Sequence, residues 1–274
     1  MTRYIRREQL EHAIWTPGTP VPTSKPEPAP QHREKTEGRY ILMPRATTYA
    51  QGFHALRNAC QADENSVHPL FTLDGGSEIY RPLTFKENIG ARVIDFYNFQ
   101  NPDGTERTKQ ERLRLFTERW LDSCTAIAYQ KGTTKFKVVP MSPELITIPE
   151  SFNQHYMKIE YASLGGTELD RAGATYNALL TPSQVENHPA WLAAVEDDVN
   201  LLKAYRDIVF AAKENPEKAM GFWLRDDIPE DHLRALFVDK LGNNSNANGN
   251  YNLNSNGSFL HVAPVVSAAG ARRA

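Results

Sequence analysis

The chain has 274 residues, enough for one large domain or two small ones with a core of their own. Its 40% apolar and 23% charged residues are those of a folded globular protein and exclude a disordered or fibrous chain. The net charge of −2 excludes a uniform polyelectrolyte. It is unevenly placed: residues 1–46 carry eight bases against five acids, residues 241–274 two bases and no acid, and the middle 21 bases against 28 acids.

Two cysteines, Cys60 and Cys124, cannot build a disulfide framework. No apolar run approaches the roughly 18 residues of a membrane span. The N-terminus lacks the apolar core of a secretory signal, and Glu8 and Glu11 argue against a transit peptide. The expectation is a soluble protein of the cytoplasm or of an assembled particle, with no membrane partner.

Residues 1–39 read as an N-terminal arm. Ile5, Leu10 and Ile14 give the first fifteen residues a short amphipathic helical pattern. The prolines from Thr16 to Pro30 favour extended polyproline II, a semi-rigid spacer that holds that helix away from the body. The globular body spans 40–242. Thr47 to Ala62 is helical, with Phe53, Leu56 and Cys60 on one side. Pro69 to Arg81 is a hairpin turning at Asp74-Gly75-Gly76, and Thr84 with Glu87 is a capping box that opens a helix to about Tyr97.

The clearest geometry lies between Thr108 and Pro140. Leu113, Phe116, Trp120 and Leu121 recur at helical spacing, then Thr125–Tyr129 and Thr134–Val139 form a second hairpin around Lys131-Gly132. Alternation buries Phe136 with Val138 and exposes Lys135 with Lys137; Trp120 belongs with the buried set. Leu145–Ile148 and Met157–Tyr161 are short strand candidates. From Thr181 the chain turns helical, with Thr181-Pro182 and His188-Pro189 as helix starts, a helix after Asp197 or Asp198, and a last helix over Pro229–Leu241. Residues 243–274 form a C-terminal arm rich in Asn, Ser and Gly with an apolar end.

Chemistry is thinly signalled. Cys124 follows Asp122 and has no neighbouring base in sequence, so a buried thiol outranks a nucleophile. Cys60 with His54 and His68 lacks paired-ligand spacing, and no metal or cofactor is implied. Lys131-Gly132-Thr133-Thr134-Lys135 lacks the glycine spacing of a phosphate loop. Arg112, Arg114 and Arg119 with Lys131, Lys135 and Lys137 outline a basic helix-hairpin surface that could track a phosphate backbone.

The fold expected is α+β: two β-hairpins and short strands, a helical C-terminal half, and extended non-globular arms at both ends. The function expected is a self-associating structural or assembly protein, a shell, capsid or tail-like component of a virion or phage. Its arms, through Ile5, Leu10, Ile14, Phe259, Leu260, Val262, Val265 and Val266, reach neighbouring copies of itself. The alternatives are a nucleic-acid-associated protein using the basic surface, and an enzyme with a site assembled from scattered residues.

Overall fold

A computed structural model describes residues 5–6, 37–63, 66–101, 104–214, 216–242 and 244–264. In chain order the elements are β1 (Ile5–Arg6), β2 (Glu37–Leu42), α1 (Tyr49–Ala62), β3 (Leu70–Thr72), β4 (Glu78–Tyr80) and α2 (Phe85–Tyr97). Two single-turn helices follow, α3 (Lys109–Arg112) and α4 (Arg114–Thr117), then β5 (Leu121–Tyr129), β6 (Lys135–Val139), α5 (Pro143–Ile146), β7 (Met157–Lys158), β8 (Thr167–Asp170) and β9 (Leu179–Leu180). The last are α6 (Pro182–Glu186), α7 (Pro189–Ala194), α8 (Val199–Ala212), β10 (Met220–Trp223), β11 (His232–Val238), β12 (Ala247–Asn248) and β13 (Leu260–Pro264). The mixed α+β class follows directly.

The main sheet runs β8-β6-β5-β11-β12-β10-β9, with β7 added on β11. Its central pair, β5 and β11, is antiparallel and buried along its whole length. Side chains alternate between two cores. Ala126, Ala128, Leu233 and Ala235 face α1, packing with Phe53, Leu56 and Cys60. Ile127, Tyr129, Phe136, Val138, Leu236 and Val238 join the other core with residues of α2, α7 and α8. A bulge between Ala235 and Phe237 resets the register of β11.

Caps are where sequence and structure agree best. Thr48, Thr84, Thr181 and Asp198 each accept a backbone N–H three residues on, and Thr84 with Glu87 completes the capping box. The β3–β4 hairpin turns through Gly75 and Gly76 at φ 94° and 84°.

Four expectations are corrected. The helix over 108–121 breaks at Leu113 into α3 and α4, and Leu121 already belongs to β5. Trp120 is therefore half-buried at the junction, with the Arg45 guanidinium 4.3 Å from its ring. Leu145–Ile148 is not a strand: Ser142 caps and Pro143 begins the short helix α5. Pro229–Leu241 is not a helix but contains β11, whose second half, Ala235 to Val238, is apolar throughout because both faces are buried and so carries no alternation.

The fourth correction concerns the arms. Ile5 and Arg6 pair with Gly38 and Glu37 on one edge of β2. Residues 1–4 and 7–36, which include the proline-rich stretch, lie outside the described residues. On the other edge of β2, β13 pairs from Leu260–Leu42 to Pro264–Gly38. Phe259, Leu260 and Val262 are at most 1% exposed within their own subunit. The body extends to Pro264, and those three side chains are core rather than anchors for a neighbour. Leu10, Ile14, Val265 and Val266 lie outside the described residues.

Candidate functional site

Strand β11 points two polar side chains, His232 and Arg234, to the same side of the sheet, as spacing of two requires. Both are buried, at 0% and 2% exposure. His232 Nδ1–H donates to the Glu230 carbonyl at 2.7 Å, which leaves Nε2 to accept from Arg234 Nε–H at 3.3 Å. That geometry fixes the neutral imidazole. Burial chiefly, aided by the Arg234 charge, holds its pKa below the ordinary histidine value.

Planar groups line up in a row through this histidine, whose ring is tilted by 35° to Tyr129 and 34° to Tyr156. The Arg171 guanidinium lies 5.4 Å from the Tyr129 ring centre, Tyr129 lies 5.1 Å from His232, and His232 lies 4.3 Å from Tyr156. Arg234 closes the row, 5.3 Å from the Tyr156 ring.

Arg234 also organises the Asn-rich segment. Its Nη1 donates to the Tyr251 carbonyl at 3.0 Å and to Asn252 Oδ1 at 2.6 Å, with longer contacts to the His155 and Asn250 carbonyls. Among the described residues no carboxylate pairs with it, and burial lowers its pKa. Further main-chain ties hold the same segment: Gly249 N–H to Trp223 O, Tyr129 Oη–H to Gly249 O, and Leu253 N–H to His155 O, all at 2.9 Å. A Cβ at Gly249 would stand 2.6 Å from Ile127 Cγ1, so only glycine lets the chain pass so close to β5.

Beside Tyr156 opens a cleft of about 380 Å³ between residues 152–158 and Asn254. Amides from Asn153, Gln154 and Asn254 line it, with the rings of Phe152, His155 and Tyr156. At its side Glu230 accepts from Tyr156 Oη–H at 2.6 Å and from Lys158 Nζ at 2.8 Å. Amides and hydroxyls that present both donors and acceptors, next to aromatic faces, form a surface suited to recognition.

The sequence-predicted groups lie elsewhere. Arg112 sits between Phe96 and Phe99, Arg114 pairs with Glu118, and Arg119 donates to the Met43 carbonyl at 2.9 Å. Lys131 stands exposed at the β5–β6 turn, Lys135 pairs with Glu168 at 2.9 Å, and Lys137 donates to the Tyr161 and Leu164 carbonyls. The arginines precede β5 and the lysines follow it, so the strand separates the two groups by roughly 26 Å at ~3.3 Å per residue. Phe136 is buried and Lys135 exposed, whereas Lys137 is half-buried by its carbonyl contacts. Cys124 Sγ–H donates to the Pro82 carbonyl at 3.2 Å, and burial pushes its pKa up to about 12, the range of an inert thiol. The signal that could have disclosed β11 is the order His232-Leu233-Arg234-Ala235, polar and apolar in alternation inside an otherwise apolar run.

The architecture places this chain in a class. It is similar to a solved structure described as "Accommodation of massive sequence variation in Nanoarchaeota by the C-type lectin fold", at 16% identity and a TM-score of 0.53, over 84% of this chain and 99% of that one. The likeness is one of fold: this chain has a C-type lectin fold. No family model matches the chain, and no curated protein matches it.

Proposed function

We propose that this chain is a recognition protein in which the C-type lectin scaffold presents the Asn-rich segment 249–256 and the facing 152–158 loop to a polar ligand. The observation that carries this reading is how the segment is held through its main chain: Arg234 Nη1 reaches the Asn250 and Tyr251 carbonyls, Tyr129 Oη–H the Gly249 carbonyl, and Leu253 N–H donates to His155 O. A loop fixed through its backbone keeps its shape when exposed side chains such as Tyr251 are exchanged. That property agrees with what the neighbour's title says of that protein, accommodation of sequence variation. The rigid frame below the loop and the aromatic-and-amide cleft beside it support ligand contact at the Tyr156 end of the row of rings.

The test is to pass the wild type, Tyr156→Ala and Asn254→Ala over a printed glycan array and a displayed random-peptide library. Ligands that capture the wild type should lose tenfold or more in affinity to each variant, with melting temperature unchanged. Hits that bind all three proteins alike, or no hits in either format, would refute recognition by this face.

Self-association is a second proposal. Its supporting observation is the exposed pair Tyr97 and Phe99 at the end of α2. Light scattering across protein concentration tests it, and a species that stays monomeric throughout removes it.

A further inference from the structure

Among the described residues, strand β13 is paired on one edge only, with β2. On its other edge one imidazole stands where a neighbouring strand would offer acceptors. Val262 N–H donates to His68 Nδ1 at 3.1 Å, and His68 Nε2 lies 2.6 Å from the Arg81 carbonyl. A carbonyl can only accept, so the proton sits on Nε2 and Nδ1 must keep its lone pair for Val262. His68 is thus a neutral strap between the end of the β3–β4 hairpin and the C-terminal strand, 3% exposed. A second buried imidazole, His261 on β13 itself, lies 5.8 Å away, with Ser66 Oγ 3.5 Å from its Nε2.

We propose that His68 and His261 form an acid-sensitive latch, so that release of β13 takes up a proton that the closed strand cannot accommodate. Protonating Nδ1 of the closed state would set its N–H against that of Val262 and add a second charge beside His261. The charges that act on His68 are those of His261 and Arg81. Arg81 turns its guanidinium to Glu87 at 2.7 Å, Tyr80 contributes a ring at 6.5 Å, and Ser66 a hydroxyl. At the foot of the strand Asp122 binds the Ser258 N–H at 2.7 Å and titrates in the opposite sense. Burial and the neighbouring imidazole hold His68 down at about 3, so in the closed state it stays neutral through the physiological range. Once opened, it recovers an ordinary histidine value of about 6.5. Because β13 directly follows the Asn-rich segment, acid would loosen the anchor of that segment while leaving β5 and β11 in place.

Hydrogen exchange at the β13 amides, in the full-length wild type and in His68→Gln, tests the latch between pH 7.5 and 5.0. Taking the ratio of the two opening constants cancels the contribution of Asp122 and the intrinsic pH dependence of exchange. The ratio should rise about tenfold for each pH unit below about 6.5, with β5 amides unaffected. A flat ratio, or an equal loss of protection in β5, would overturn the proposal. Nitrogen-15 spectra of the wild-type imidazoles supply a measurement that needs no variant. His68 should remain the Nε2–H tautomer at pH 5, and a closed-state midpoint near 6.5 would defeat the idea.

Discussion

Replacing Phe259 with alanine separates a folded C-terminal segment from a tethered one. The ring is 1% exposed and meets Tyr49 edge-on at 5.1 Å. It lies so close over α1 that a Cβ on Gly52 would come within 2.8 Å of it. Its carbonyl also accepts from Met43 N–H at 3.0 Å, an interaction that survives the substitution. Truncating a fully buried phenylalanine costs about 3 to 5 kcal/mol through lost transfer energy and the cavity left behind. The aromatic pair adds about 1 kcal/mol to the upper part of that range. At about 2 °C per kcal/mol for a domain of this size, the melting point should fall by roughly 6 to 10 °C. Urea denaturation followed by circular dichroism gives the free energy directly, with an unchanged m-value to show that the same surface unfolds. A loss of only a few tenths of a kcal/mol would mean that the ring is not in the core, and the assignment of β13 to the body would be wrong.

Asp122→Asn should reverse a cost that grows with pH. Burial raises the carboxyl to about 7 from 3.8, so the folded state holds the proton more tightly than the unfolded state. Its stability contribution is whole below pH 3.8 and is lost as pH climbs through 7; the variant should match the wild type at pH 4 and exceed it by up to about 4 kcal/mol at pH 8. Equal stabilities at both values would show that the ionised group is compensated. Arg234→Met removes the donor shared by Tyr251 O and Asn252 Oδ1, each worth about 1 to 3 kcal/mol when orphaned and partly offset by deleting a buried charge. Exchange at Leu253 N–H should accelerate at least tenfold while β5 amides hold; uniform acceleration would refute a local role. Gly166→Ala forces φ 105° on an L-residue and sets its Cβ against the Val138 carbonyl, so a loss of about 1 to 3 kcal/mol is expected in thermal unfolding, and a neutral result would contradict this backbone path.

Local signals were legible in the sequence and long-range ones were not. Capping residues at Thr84 and Asp198 and the glycine turn after Leu73 act within a few positions, so they read correctly from composition alone. β11 is not legible because its longest partner, β5, lies about a hundred residues earlier, and two cores, one against α1 and one against α2, α7 and α8, bury its two faces. The same blindness hid the candidate site. Tyr129, Tyr156, His232 and Arg234 converge only after β5 and β11 pair, and no spacing announces them. Asn-rich composition suggested a loose spacer after residue 242, yet Asn246 is 4% exposed and donates to Asp239 Oδ2 at 3.0 Å. Short polar side chains serve a tied-down loop as readily as a free one, and composition does not distinguish them. Helical period puts Trp120 on a buried face, but the helix ends at Thr117, and beyond it the ring lies only half-buried.

Gly38 sits between Ile5 on one neighbouring strand and Pro264 on the other. With strands about 4.8 Å apart, those two positions are separated by roughly 10 Å across a single intervening strand, a gap that about three extended residues would bridge. The domain is therefore suited to insertion: a host polypeptide could leave one of its own loops, run through the whole fold and return almost to its point of departure. Joining the two strands and reopening the backbone at Gly75-Gly76 would yield a circular permutant that keeps the main sheet untouched.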